Sequence, residues 1–233
     1  MRSTLLLVAA LSAALGVRTP AQCPPQPPGP LVGAAQPFED EIASFEAADR
    51  VGPPPRGSVL FVGSSSIRVW PDLKADFPNI DVLQRGFGGS TLDEVDHYAP
   101  RIVLPYCPRL IVLYAGDNDL AEGRTPEQIL ADFKTFVGLV RPPMPKTRIV
   151  FVSIKPSTAR VALLGKMREA NALVRQYIAT DPSLTYVDVF TPMLGPTRLP
   201  RDELFQSDGL HMNAQGYAIW RGLLQPLVSA TGR

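Results

Sequence analysis

Five short apolar runs punctuate this chain, at residues 58–62, 80–84, 110–114, 148–154 and 185–189, and none of them alternates polar with apolar side chains. A strand that is apolar on both faces must be covered on both faces, the condition of a parallel sheet held between layers of helices. Helical spacing fills the intervals: residues 38–48, 91–103, 126–140 and 160–180, then a last helix that opens on an N-cap at Asn213 and runs toward Val228. Thr125-Pro126 is a strong helix start, a capping hydroxyl followed by a proline whose fixed φ suits the first turn. The alternation of strand and helix predicts an α/β domain built on an open, five-stranded parallel sheet.

Ligands in such sheets collect outside the carboxyl ends of the strands, so any proposed site must fall just after strands. Four segments do. Gly63-Ser64-Ser65-Ser66 follows the first run and Arg85-Gly86-Phe87-Gly88-Gly89 the second, Gly116-Asp117-Asn118-Asp119 follows the third, and Asp208-Gly209-Leu210-His211 precedes the last helix.

A serine hydroxyl attacks well only if a base removes its proton, and the chain has two histidines, His97 and His211. Asp208 lies three residues before His211, close enough for one tight turn in which the carboxylate orients the imidazole. The developing oxyanion also needs donors: the backbone N–H groups of Ser65 and Gly89 and the side-chain amide of Asn118 can supply three, aided by the helix expected after Ser66. Other serine-hydrolase templates fit less well. A nucleophile elbow wants glycine two residues to either side of the serine, and Ile67 breaks that pattern; a Ser-x-x-Lys pair is absent because Arg68 holds the fourth position.

With these four segments in this order, the chain resembles the SGNH or GDSL-type hydrolases over about residues 58–225. The resemblance implies a three-layer α/β/α sandwich like flavodoxin. It also implies Ser65 as nucleophile, Asp208 and His211 as its partners, Ser65, Gly89 and Asn118 as the oxyanion hole, and no metal or organic cofactor. Alignment through Gly63 and Trp70 selects Ser65 from the three serines. One position departs from the family: its usual Asp before the nucleophile is Ser64 here.

Other readings of the same residues remain open. The glycine segment lacks the P-loop lysine and the dinucleotide-binding spacing. Asp93, Glu94, Asp96 and His97 form an acidic helical cluster that reads as solvated surface, with a metal-dependent phosphoesterase as the competing use. Lys155 and Arg160 follow a strand and read as salt-bridge or helix-start residues. The resemblance favours a serine esterase acting on short acyl groups such as acetyl, on a small-molecule or carbohydrate ester. Lysophospholipase or thioesterase activity and a non-catalytic glycan-binding module are the alternatives.

The N-terminus reads as an export signal over residues 1–21: Arg2, an apolar stretch at 5–17, and Thr19-Pro20-Ala21 before cleavage. A Pro-rich linker at 22–35 and a domain at 36–233 follow, which makes the expected location periplasmic or secreted. Losing Arg2 and Arg18 turns the formal charge of +1 into −1. With no basic run either, nucleic acid is not an expected partner. No stable membrane insertion is expected, and Gln22 is bulky for a lipoprotein processing site at Cys23. Cys23 and Cys107 are compatible with one disulfide, but a leader rich in proline and a cysteine beside a strand favour a simple buried thiol at Cys107.

Overall fold

The structure is a computed structural model that describes residues 37–230; the export signal, the linker and Cys23 lie outside the described residues. The five strands are β1 Val59–Gly63, β2 Val82–Gly86, β3 Leu110–Tyr114, β4 Arg148–Val152 and β5 Leu184–Val187. They form one sheet of order β2-β1-β3-β4-β5 in which every neighbouring pair is parallel. The helices are α1 Glu39–Val51, α2 Ser65–Arg68, α3 Leu73–Asp76, α4 Leu92–Ile102, α5 Asp117–Ala121, α6 Pro126–Val140, α7 Leu164–Ile178 and α8 Ala214–Ala230.

Alternate strand residues serve two separate cores, which is why the runs are apolar throughout. Leu60, Val62, Ile111, Leu113, Ile149 and Phe151 pack with residues of α1, α4, α6 and α7, while Val59, Phe61, Leu110, Val112, Val150 and Val152 pack with α3 and α8. Three layers follow: helices, sheet, helices. Each buried Val, Leu, Ile or Phe contributes about 1.5–3 kcal/mol, so these strand residues are a large share of what holds the layers together. The order reverses at β1, whose two neighbours are β2 and β3. Gly63 stands level with both Gly86 and Tyr114, so three strands end at one height beside the switch point, where ligands of such sheets bind.

Local signals set some boundaries closely. Thr125 and Gln128 form a reciprocal capping box, with Gln128 N donating to Thr125 Oγ1 at 3.3 Å and Thr125 N to Gln128 Oε1 at 2.8 Å, and α6 has the bounds expected from sequence. Asn213 caps α8 by accepting from Gln215 N (2.9 Å) and Gly216 N (3.2 Å).

Elsewhere long-range partners move the boundaries. Phe38 adopts φ 68°, so α1 begins at Glu39. β4 ends at Val152, not at 154, because Asn171 of α7 takes over the Ile154 backbone, accepting from its N–H at 2.8 Å and donating to its carbonyl at 2.9 Å. α7 begins at Leu164, not at 160: Thr158–Leu163 is a 3-10 segment broken at Arg160 (φ −124°, ψ 31°), with Ala159 N held by Gly209 O. The expectation of a simple buried thiol at Cys107 also fails. Cys107 is disulfide-bonded and sits half-buried at the end of the Leu104–Tyr106 turn. Among the described residues, no helix is long and apolar enough to cross a membrane.

Candidate active site

The serine turn is built by the end of β1. Gly63 has φ 132°, and a Cβ there would lie 1.8 Å from the Tyr114 carbonyl oxygen, so only glycine lets β1 run this close to β3 and then turn. Ser64 N donates to the same carbonyl at 3.0 Å, and Ser64 O accepts from Ile67 N and Arg68 N, which starts α2 at Ser65. Ser64 and Ser66 are 1% and 2% exposed. Ser66 is committed to packing against α8, its carbonyl accepting from Tyr217 Oη at 2.9 Å. Of the three serines, Ser65 alone bonds the imidazole, with Oγ 3.0 Å from His211 Nε2. The helix expected after Ser66 is a single turn that starts at Ser65, too short to build a large dipole. Its first N–H groups are nonetheless without intrahelical acceptors, and the Ser65 N–H is the first of them.

His211 is supplied by a turn closed at its base by the Phe205–Met212 bridge and by Gln206 N donating to His211 O at 2.8 Å. Gly209, at φ 63°, lets the chain reverse there. Asp208 Oδ1 accepts from both Leu210 N and His211 N at 2.9 Å, while Oδ2 lies 2.6 Å from His211 Nδ1. The His211 hydrogen bond first, with those backbone donors, holds the Asp208 carboxyl down at about 2. An ionised Asp208 keeps the proton on Nδ1 and leaves Nε2 free to accept from Ser65.

The glycine segment and Asn118 complete the rim. α1 braces the former: Gly88 N donates to the Glu41 carboxylate at 3.1 and 3.2 Å, and the Phe38 ring packs edge-on to Phe87. A Cβ on Gly89 would stand 3.8 Å from Asn118 Nδ2, so those two groups face the same space. Asn118 is not a plain turn residue; it lies in α5 directly after β3, and its Nδ2 donates to Ser90 O at 3.1 Å. All five site residues expected from sequence, Ser65, Gly89, Asn118, Asp208 and His211, thus gather at the strand ends.

Lys155 and Arg160 make the salt bridges expected of them, both to Asp117, and through Asn118 Arg160 also reaches this site. Lys155 is 1% exposed with Nζ 3.4 Å from Asp117 Oδ2, and burial pulls its ammonium below the ordinary value although Asp117 opposes that. Arg160 Nη1 lies 3.0 Å from the same carboxylate oxygen and its Nη2 donates to Asn118 Oδ1 at 2.8 Å. The available signal was their position, just after β4 on the same edge as the other segments.

The acidic cluster read as solvated surface is so at Asp93 and His97, whereas Glu94 and Asp96 are half-buried. His97 is exposed and packs edge-on to Tyr98, while Asp93 gathers instead with Asp119 and Asp132 around Arg124. The guanidinium among these acids supplies the positive charge that a metal would bring. A cavity of about 470 Å³ between Trp70, Asp76, Met212 and Arg221 lies behind the base turn and is lined by neither Ser65 nor His211.

A parallel sheet of flavodoxin order with a Ser-His-Asp relay at its switch point defines an α/β/α hydrolase architecture. The chain belongs to the GDSL-like lipase/acylhydrolase family, whose model matches residues 51–219. Solved structures agree on the fold. A candidate acylhydrolase from Bacteroides fragilis is 22% identical, with 86% of this chain and 98% of that one covered and a TM-score of 0.69. A GDSL-like lipase from Bacteroides thetaiotaomicron is 20% identical, covering 81% and 97%, also at 0.69. A variant of an acetyl-xylooligosaccharide esterase from Geobacillus is 16% identical, covering 75% and 95% at 0.59. No curated protein matches the chain.

Proposed function

We propose that this protein is an exported serine esterase that cleaves short acyl groups, acetyl foremost, from small-molecule or carbohydrate esters. The observation that carries the reading is the continuous relay from Ser65 Oγ to His211 Nε2 (3.0 Å) and from His211 Nδ1 to Asp208 Oδ2 (2.6 Å). Ser65 attacks the ester carbonyl as His211 takes its proton, giving a tetrahedral intermediate whose oxyanion is held by the N–H groups of Ser65 and Gly89 and by Asn118 Nδ2. His211 returns the proton to the departing alcohol, leaving an acyl-Ser65. Water, activated by the same imidazole, then releases the acid and restores the serine.

The preference for acetyl draws on the Geobacillus relative's named activity. Export draws on the charge and apolar pattern of residues 1–21. The decisive experiment labels the protein with an organophosphonate and locates the adduct by peptide mass spectrometry, alongside turnover of p-nitrophenyl acetate. Ser65 should carry the label, and Ser65→Ala should lose on the order of 10⁴–10⁶-fold in kcat. A fully active Ser65→Ala would overturn the reading; a preference for p-nitrophenyl octanoate would overturn only the short-acyl part.

A further inference from the structure

Asn118 can stabilise an oxyanion only if its amide nitrogen, and not its oxygen, faces the reacting carbonyl. The two ends of a carboxamide have nearly the same shape, so chemistry must choose between them. Arg160 makes the choice here. A guanidinium has donors and no acceptor, and its Nη2 lies 2.8 Å from Asn118 Oδ1; a flipped amide would set N–H against N–H. The flip would also bring Oδ1 against the Ser90 carbonyl, which now accepts from Nδ2 at 3.1 Å. Arg160 is itself fixed by Asp117, whose Oδ2 lies 3.0 Å from Nη1. A positive charge on Oδ1 further polarises the amide, strengthening its N–H groups as donors.

The backbone around Arg160 reaches the other half of the relay. Gly209 O accepts from Ala159 N and from Thr158 Oγ1, each at 3.0 Å, so the segment that orients Asn118 also clamps the turn holding Asp208 and His211. The break in the 3-10 segment falls at Arg160. A regular helix from residue 160 would not present both the Ala159 N–H and the Arg160 side chain in this way.

We propose that Arg160 is a positioning residue that holds the Asn118 carboxamide in its donor orientation, and that its loop ties the oxyanion donor to the base turn. The inference rests on the esterase reading, with Asn118 as an oxyanion donor. Arg160 acts through Asn118 and does not itself touch the substrate.

The test is a double-mutant cycle on the full chain, with p-nitrophenyl acetate as probe and thermal melts recorded for each variant. Arg160→Ala should lower kcat by about 10–100-fold with KM within about twofold, since one oxyanion donor is worth about 10²–10³-fold in kcat. In an Asn118→Ala background the same substitution should cost nothing further. Arg160→Lys, whose ammonium is also donor-only, should recover part of kcat. Lys155 remains beside Asp117 in every variant, which protects the fold; should Arg160→Ala nonetheless fail to fold, Arg160→Gln carries the same cycle. Undiminished kcat, a loss confined to KM, or an equal loss in the Asn118→Ala background would each overturn the inference. Ser65→Ala separates the two levels: if it is inactive while Arg160→Ala is fully active, only the positioning role falls, whereas an active Ser65→Ala removes the esterase reading itself.

Discussion

Asp117 and Asp119 flank Asn118 and are both buried, yet their surroundings are opposite. Asp117 faces two cations, Lys155 at 3.4 Å and Arg160 at 3.0 Å. Asp119, 0% exposed, shares one guanidinium, Arg124, with Asp93 and Asp132, and Asp96 adds a fourth carboxylate nearby. Burial first pushes the Asp119 carboxyl up to about 6, against the pull of the Leu92 N–H that donates to its Oδ1 at 2.9 Å. The cation-rich side runs into the oxyanion region through Arg160. The acid-rich side holds the start of α4 and carries unrelieved charge. Acid and cation are thus matched on the side where a donor must be aimed, and acid is in excess on the side where only a helix must be anchored.

The largest expected effect breaks the first side. Asp117→Ala strands Lys155 in the interior without its acid, and breaking a buried pair typically costs about 3–5 kcal/mol. At about 2–4 °C per kcal/mol for a domain of this size, the melting temperature should fall by roughly 10 °C. Replacing both partners, Asp117→Asn with Lys155→Met, should recover part of that loss, because no charge is then stranded at residue 155, while the less buried Arg160 still loses its acid. A single Asp117→Ala that melts like the parent would show that water already relieves Lys155, and the contrast between the two sides would collapse.

Substitutions at Asp119 sharpen the comparison with a middle-sized effect. Asp119→Ala removes the acceptor for the Leu92 N–H, and an unsatisfied buried amide costs about 1–3 kcal/mol. Asp119→Asn keeps an acceptor oxygen and discards a charge that burial opposes, so at pH 8 its melting temperature should match or exceed the parent's. If Asp119→Asn melts lower than Asp119→Ala, the carboxylate is needed as a charge and the strained reading of this side is wrong.

How far these features could be read from sequence depended on the range of the interaction that sets them. The start of α6 follows from Thr125, Pro126 and Gln128, which cap it within four residues, and the strand ends carrying Ser65, Gly89 and Asn118 follow from apolar runs broken by glycine. Nothing local announces that residue 160 is not yet helical. Its conformation is set by Gly209 O, about fifty residues away, and so the aim of the Arg160 side chain at Asn118 was hidden. Lys155 reads as a salt-bridge or helix-start residue, but lysine is almost never fully buried, so its burial and its partner Asp117 come only from the fold. Ser65 could be chosen from three serines only by resemblance, until the bond to His211 distinguished it.

The smallest effect is a pH dependence confined to the acid-rich side. Asp96 is pushed up to about 8, first by burial and then by the carboxylates of Asp132, Asp93 and Asp119, and one of its oxygens is buried without a partner. Between the ordinary carboxyl value near 4 and about 8, the folded protein therefore binds a proton that the unfolded chain has released, and stability falls as pH rises through that window. Below pH 4 both states are protonated and the penalty vanishes; above pH 8 it is complete. Asp96→Asn removes the titration. Thermal melts should thus show no gain for Asp96→Asn at pH 4 and a gain of about 3 °C at pH 8, a modest figure because Asp96 is only partly buried and neighbouring Arg124 offsets some of the repulsion. The same variant should leave the Asp117 side untouched, with kcat on p-nitrophenyl acetate unchanged at both pH values. A gain that is equal at pH 4 and pH 8 would mean that the substitution acts through packing, and that Asp96 does not titrate in this window.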